Sequence, residues 1–194
     1  MYIYQNYIYM KFKQSLIFIF ILTILISCRT SDKMIVNKKL TDPEGETILF
    51  GQITRDALKQ SDFNSWYTDE YNSYVPDRNV INKIKNKIKI YKIEIYFGTW
   101  CSDTHEQLPR FLKILDVTNY PQRKLKLYAL NRKKESLYGE QNQKNIVSIP
   151  TFILYKANHN PKRSDIEIGR IVESPKESLE LDLYKILTGK EFKQ

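Results

Sequence analysis

Apolar and polar positions alternate most clearly over Tyr91, Ile93, Ile95 and Phe97, and this period of two predicts a strand. Gly98 ends it. Leu108, Phe111, Leu112 and Leu115 then recur at helical spacing, with Pro109 inside the repeat. Asp103 followed three residues later by Glu106 has the form of a capping box, so the helix is expected to begin there. Upstream, residues 48–54 predict a first strand. Asp77 is placed to cap a helix whose buried face is Val80, Ile81, Ile84 and Ile88.

Downstream, Asn119-Tyr120-Pro121 reads as a turn, and Leu125, Leu127 and Ala129 alternate in a further strand. Residues 131–145 are polar and read as a loop with a short helix. Residues 151–155 form the next strand, and residues 158–161 a turn. Ile166, Ile168 and Ile171 continue the sheet, with Gly169 as a bulge or a point of close approach. Ser174, Pro175 and Glu177 have the sequence of a helix start. Leu179, Leu183, Ile186 and Leu187 supply the helix's buried face and Gly189 its end. Phe63, Trp66, Tyr67, Tyr71 and Tyr74 are read as covering one end of the core.

The 194 residues leave room for one domain and a leader. The formal net charge is +9, but the lysines are scattered among Ile, Asn and Tyr. No predicted helix or strand collects them on one face, so a solvated surface is expected and a nucleic-acid partner is not.

The N-terminal segment changes the picture. Lys11 and Lys13 precede an apolar run from Leu16 to Ile26, and Ser27-Cys28 follows. This is the layout of a signal peptide over 1–27. The run is short for a span of a ~30 Å hydrocarbon core. Leu25-Ile26-Ser27-Cys28 also resembles the bacterial lipobox, which implies lipidation of Cys28 and a membrane anchor facing the periplasm or exterior. Residues 28–46 then read as a flexible tether and residues 47–190 as the domain. Met10-Lys11-Phe12-Lys13 also has the form of a translation start.

The chain has two cysteines. With Cys28 held as a thioether, Cys101 is the one free thiol expected in the mature chain, outside the cytoplasm. Such a thiol is reactive, buried and inert, or paired with another molecule. At a strand end and helix start, backbone N–H groups and the helix dipole favour a thiolate. Asp103 opposes that if its carboxylate faces the sulfur. A protonated His105, four residues on, assists it, although the simpler reading of His105 is a solvated helix residue. Cys101 and His105 are also soft ligands of the kind that suit copper or zinc. No further ligand set is visible, since His159 falls in a distant turn, and neither a metal nor another cofactor is expected.

Trp100-Cys101-Ser102-Asp103-Thr104 with Pro109, followed by Ser148-Ile149-Pro150-Thr151-Phe152, resembles the thioredoxin superfamily. The likeness covers about residues 48–189. It implies an α/β fold, with a central mixed β-sheet and helices on both faces. It also implies a cis-proline at Pro150 beside the sulfur. Cys101 takes the place of the family's nucleophile, and Trp100, Ile149 and Pro150 take that of a groove for a substrate peptide. Asp103, Thr104 and His105 fall where they can tune the sulfur. The pattern departs from the family's in two ways: Thr104 occupies the place of the second cysteine, and Ile95 that of a buried carboxylate. Gly98 stands where a one-cysteine peroxidase would carry threonine.

Dithiol turnover needs a second sulfur to release the mixed disulfide. A hydroxyl at Thr104 cannot do this, so resolution must come from outside. Two functions stay open. One is a monothiol oxidoreductase whose partner is an extracytoplasmic cysteine-containing protein or a small thiol. The other is a binding or assembly module that keeps the fold without turnover.

Overall fold

The computed structural model describes residues 34–158, 160 and 163–190. Cys28, His159 and the leader expected over 1–27 lie outside the described residues.

Six strands form one mixed sheet: β1 (Lys38–Thr41), β2 (Thr47–Ile53), β3 (Lys92–Phe97), β4 (Leu125–Ala129), β5 (Thr151–Lys156) and β6 (Ile166–Val172). Their spatial order is β1-β2-β4-β3-β5-β6. Only β3 and β4 run parallel, as two strands joined through a crossover helix do, while the remaining neighbours are antiparallel. Four helices are found among the described residues: α1 (Asn64–Ser73), α2 (Arg78–Ile84), α3 (Ser102–Val117) and α4 (Leu179–Thr188). None of these is long and apolar enough to cross a membrane. The chain is therefore of the α/β class.

The alternation in β3 sorts its side chains to two cores. Ile93, Ile95 and Phe97 join one core with Leu127, Ala129, Phe152 and Leu154, and with the apolar faces of the helices. Tyr96 points the other way, into a second cluster with Tyr128, Leu130, Ile149, Ile153 and Tyr155. None of the four helices contributes a buried residue to that second cluster. The expectation of helices on both faces is thus corrected, because the second face is covered by irregular chain. The short helix expected within 131–145 is absent, and those residues form turns. They lack the periodic apolar positions that a helix needs to bury one stripe. The loop is instead held by polar bonds. Tyr96 Oη donates to Glu140 O (3.1 Å), Arg170 donates to Lys144 O (3.0 Å), and Lys144 Nζ pairs with Glu94 (3.0 Å).

The N-terminal boundary also moves. Residues 38–41, expected as part of the tether, pair with β2 from Lys38↔Phe50 to Thr41↔Thr47. A short lysine-bearing segment has little strand signal of its own, and the ladder bonds to β2 supply what its side chains do not.

Helix ends separate local from tertiary control. Asp77 caps α2 as expected, accepting from the amides of Asn79 (2.7 Å) and Val80 (3.2 Å). Gly189 ends α4 with φ +67°. The start of α4 is corrected: Ser178, not Ser174, is the cap and accepts from Leu181 N at 3.2 Å. Glu180 explains the shift. Its buried carboxylate accepts from Tyr74 Oη (2.8 Å) and Asp77 N (3.0 Å), fixing the first turn against α2. Gly169 is both bulge and close approach: the β5–β6 register shifts at Leu154/Tyr155, and a Cβ on Gly169 would lie 2.9 Å from Ile186 Cγ2.

Candidate functional site

β3 ends at Phe97, and the chain turns through Gly98, Thr99 and Trp100 before α3 begins. Cys101 N donates to Gly98 O (3.1 Å) and closes this turn. Cys101 is itself the N-cap residue of α3, with φ −100° and ψ 125°, and its carbonyl accepts the first helical bond from His105 N at 3.1 Å. The capping box expected from Asp103 and Glu106 therefore does not form. Asp103 falls in the first turn of the helix, where a carboxylate suits the positive end of the dipole. Glu106 instead pairs with Arg110 Nη1 at 2.5 Å.

The half-buried sulfur faces the chain before β5. Cys101 Sγ lies 3.6 Å from Ile149 O, and the thiol donates to that carbonyl. The Ile149–Pro150 peptide is cis. Cys101 and the bend at Pro150 are thus neighbours in space, as the motif pair implies. The side chains of Ile149 and Pro150 are buried, however, so the backbone of Ile149 is what meets the sulfur. The neighbouring apolar surface left to solvent comes from half-buried Trp100 and Ile146 and from Val147, which is 71% exposed.

Trp100 is held on three sides. Its Nε1–H donates to Leu130 O (3.0 Å), and the Arg132 guanidinium lies 5.1 Å from its ring centroid. Below it is Gly98, where a Cβ would come within 2.5 Å of Trp100 Nε1 and 2.9 Å of Ile149 Cδ1. Glycine is required here by space rather than by backbone angle. Arg132 in turn bonds Asp42 (2.6 Å), Glu44 (2.8 Å) and Glu46 (2.6 Å) in the turn between β1 and β2. Burial pushes the Asp42 carboxyl up, but hydrogen bonds from Arg132 and from the Glu46 and Glu44 amides outweigh it, leaving the carboxyl below its ordinary 3.8.

Thr104 is fully buried, and its Oγ1 has no hydrogen-bond partner among the described residues. It stands one helical turn from Cys101, on the side of the core. His105 departs from the solvated reading. Its ring stacks on Trp66 (centroids 4.3 Å apart, planes at 16°), and Nε2 lies 2.7 Å from Thr99 O. A carbonyl can only accept, so Nε2 carries the proton. Cys101 and His105 meet no third ligand among the described residues. The carboxylates that do come within 4.8 Å of one another are Asp42, Glu44 and Glu46, and Arg132 already binds all three.

Two features of the site were not read from the sequence, Arg132 and the exposed Val147. Both lie in the loop that follows β4. A lone arginine in a polar loop carries no periodic signal, so nothing in the sequence pairs it with a tryptophan in the turn after β3. A cavity of about 800 Å³ lies elsewhere, over the Arg55–Asp116 ion pair with Tyr67 and Tyr71. A shallower groove of about 400 Å³ runs from Ser102 and His105 to Trp66 and Asp69.

No protein-family model matches the chain, and no curated protein matches it. Among solved structures, an HIV epitope scaffold is similar at 15% identity with a TM-score of 0.39, over 64% of this chain and 71% of that one. A likeness at that level carries no functional argument.

Proposed function

We propose that this protein is a thioredoxin-like thiol protein with a one-cysteine site, exchanging disulfides by a monothiol route with external resolution. The observation that carries the reading is the position of Cys101. It is the N-cap of a sixteen-residue helix, with Sγ 3.6 Å from the carbonyl that precedes a cis-proline. The order of β3, α3 and β4, followed by antiparallel β5 and β6, supports a thioredoxin-like arrangement around that sulfur. Signal-peptide and lipobox patterns support an anchored protein on the extracytoplasmic side of a bacterial membrane.

In the first step the Cys101 thiolate attacks one sulfur of a partner's disulfide. A bond forms between Sγ and that sulfur, the partner's S–S bond breaks, and the released thiolate takes up a proton. An external thiol then attacks the mixed disulfide and returns Cys101 to its reduced state. Thr104 cannot supply that second sulfur. One sulfur of the entering disulfide leaves as a thiol and the other leaves joined to the external thiol; a second external thiol releases it, so two thiols are oxidised for each disulfide reduced.

The full chain carrying Cys28→Ser tests this when incubated with glutathione disulfide. The expected product is a single mixed disulfide on Cys101, released by dithiothreitol and absent in Cys101→Ser. A folded protein that forms no adduct, while its unfolded form does, would leave the binding-module reading in its place. The thiol's bond to Ile149 O favours that rival, because a sulfur already satisfied by a carbonyl can serve packing alone.

A further inference from the structure

We infer that Arg132 is a positioning residue for this site, a clamp that ties Trp100 to the turn between β1 and β2. Its guanidinium covers the Trp100 ring at 5.1 Å, while Nε bonds Asp42 and Nη2 bonds Glu44 and Glu46. Three carboxylates are more than one guanidinium needs for charge balance. They orient a planar fork so that its flat face is left for the indole. Asp42 is the fixed end of the clamp: its side chain is only 1% exposed, and Oδ1 accepts from the amides of Glu44 and Glu46, both at 2.9 Å. Glu44 and Glu46 are the loose end, with side chains 61% and 57% exposed.

The consequence is a division of labour around Cys101. Ile149 limits one side of the sulfur through its backbone. Trp100 bounds the chain immediately before it, and the angle of its ring is set by a residue of the β4–β5 loop and a hairpin turn remote in sequence. Without Arg132 the indole keeps its bond to Leu130 O and its seat on Gly98, but loses the group that holds its outer face. This deepens the thiol-exchange reading and rests on it for the effect on chemistry. The clamp itself does not depend on the sulfur being reactive.

The test uses the full chain with Cys28→Ser and Trp66→Phe, so that Trp100 is the only emitting tryptophan. Arg132→Met keeps length and apolar stem and removes the fork; Arg132→Lys keeps charge without it. Loss of a surface cation–π contact shifts the balance between held and released indole about two- to five-fold, so acrylamide quenching of Trp100 is expected to rise in Arg132→Met. It should be only partly restored in Arg132→Lys. If Arg132→Met fails to fold, Glu44→Gln/Glu46→Gln loosens the same fork from its exposed end and is expected to give a smaller rise. Unchanged quenching in folded variants overturns the clamp. Adduct formation with a bulky aromatic disulfide relative to glutathione disulfide is expected to shift in Arg132→Met. Raised quenching with no adduct in any variant, the parent included, supports the clamp and sinks the thiol-exchange reading instead.

Discussion

Cys101 Sγ and the carbonyl oxygen of Ile149 are 3.6 Å apart although forty-eight positions separate them in the chain. β3 and β5 are antiparallel neighbours, with Tyr96 opposite Thr151, so the end of one strand lies beside the start of the other. The turn after β3 brings the sulfur to the cap of α3, and the chain entering β5 brings Ile149 to meet it. Sheet register therefore builds this contact, and the helix only presents the sulfur.

Thr104 tests whether the site is a dithiol pocket lacking one sulfur. Thr104→Cys places a second thiol one helical turn from the first. Under oxidising conditions the introduced thiol is expected to form a disulfide with Cys101, seen as a species lighter by two hydrogens and blocked from alkylation. The substitution also removes a buried hydroxyl without a partner, so stability should change by less than about 1 kcal/mol apart from the bridge itself. Two thiols that remain free and alkylable after oxidation would show that the helix start cannot close this loop.

Gly98 is a packing position. In Gly98→Ala the new methyl meets Trp100 Nε1 at 2.5 Å and Ile149 Cδ1 at 2.9 Å, both on side chains that are already held. Overpacking of this kind is expected to cost about 1–3 kcal/mol in urea unfolding and to shift Trp100 emission. An alanine variant as stable as the parent would mean that the indole has room to move.

Glu180 joins three elements through one buried carboxylate. Replacing it by alanine leaves the Asp77 amide unpaired at the start of α2 and frees the Tyr74 hydroxyl. A loss of roughly 1–3 kcal/mol is expected for the orphaned donor, measured by chemical denaturation. Burial and the bond to Glu180 hold the Tyr74 phenol well above its ordinary range, so its ionisation should move down in Glu180→Ala. Spectrophotometric titration reads this directly, and an unmoved phenol would place the cause in burial alone.

Asp116 sets an acid limb. Burial raises its carboxyl, but the bonds from Arg55 (both 2.6 Å) and Tyr71 (2.7 Å) outweigh this and hold it below 3.8. The folded form thus binds its proton more weakly than the unfolded one. The stability it contributes is present above 3.8 and is lost as pH falls through the depressed value. Asp116→Asn is expected to be less stable at neutral pH and to show a shallower loss as pH falls below 3.8. Parallel pH profiles for the two proteins would remove Asp116 from the account. Burial, and after it the bond to Asp116, lifts the Tyr71 phenol to about 12.

Short-range pattern was enough where the physics is short-range. β3, the apolar stripe of α3, the Asp77 cap and Gly189 all follow from residues within one or two turns of each other. Gly169 was legible for the same reason, because a glycine inside a strand marks either a bulge or a close neighbour. The Cys101–Pro150 pairing was legible only through two motifs and their order, since neither segment alone encodes the contact.

Tertiary structure decided the remainder. Glu180 chose Ser178 over the equally suitable Ser174 as the cap of α4, because a buried carboxylate must find its donors and those sit in the chain between α1 and α2. β1 exists because β2 offers it a ladder, not because residues 38–41 favour a strand. The second face of the sheet carries loops because residues 131–145 have no apolar stripe to bury, and their polar groups find Tyr96, Glu94 and Arg170 instead. Arg132 reached Trp100 by the same route. Local periodicity determines which face of an element is apolar; long-range polar bonds determine where elements begin and what stands beside the sulfur, because each such bond needs a partner that only the assembled sheet brings near.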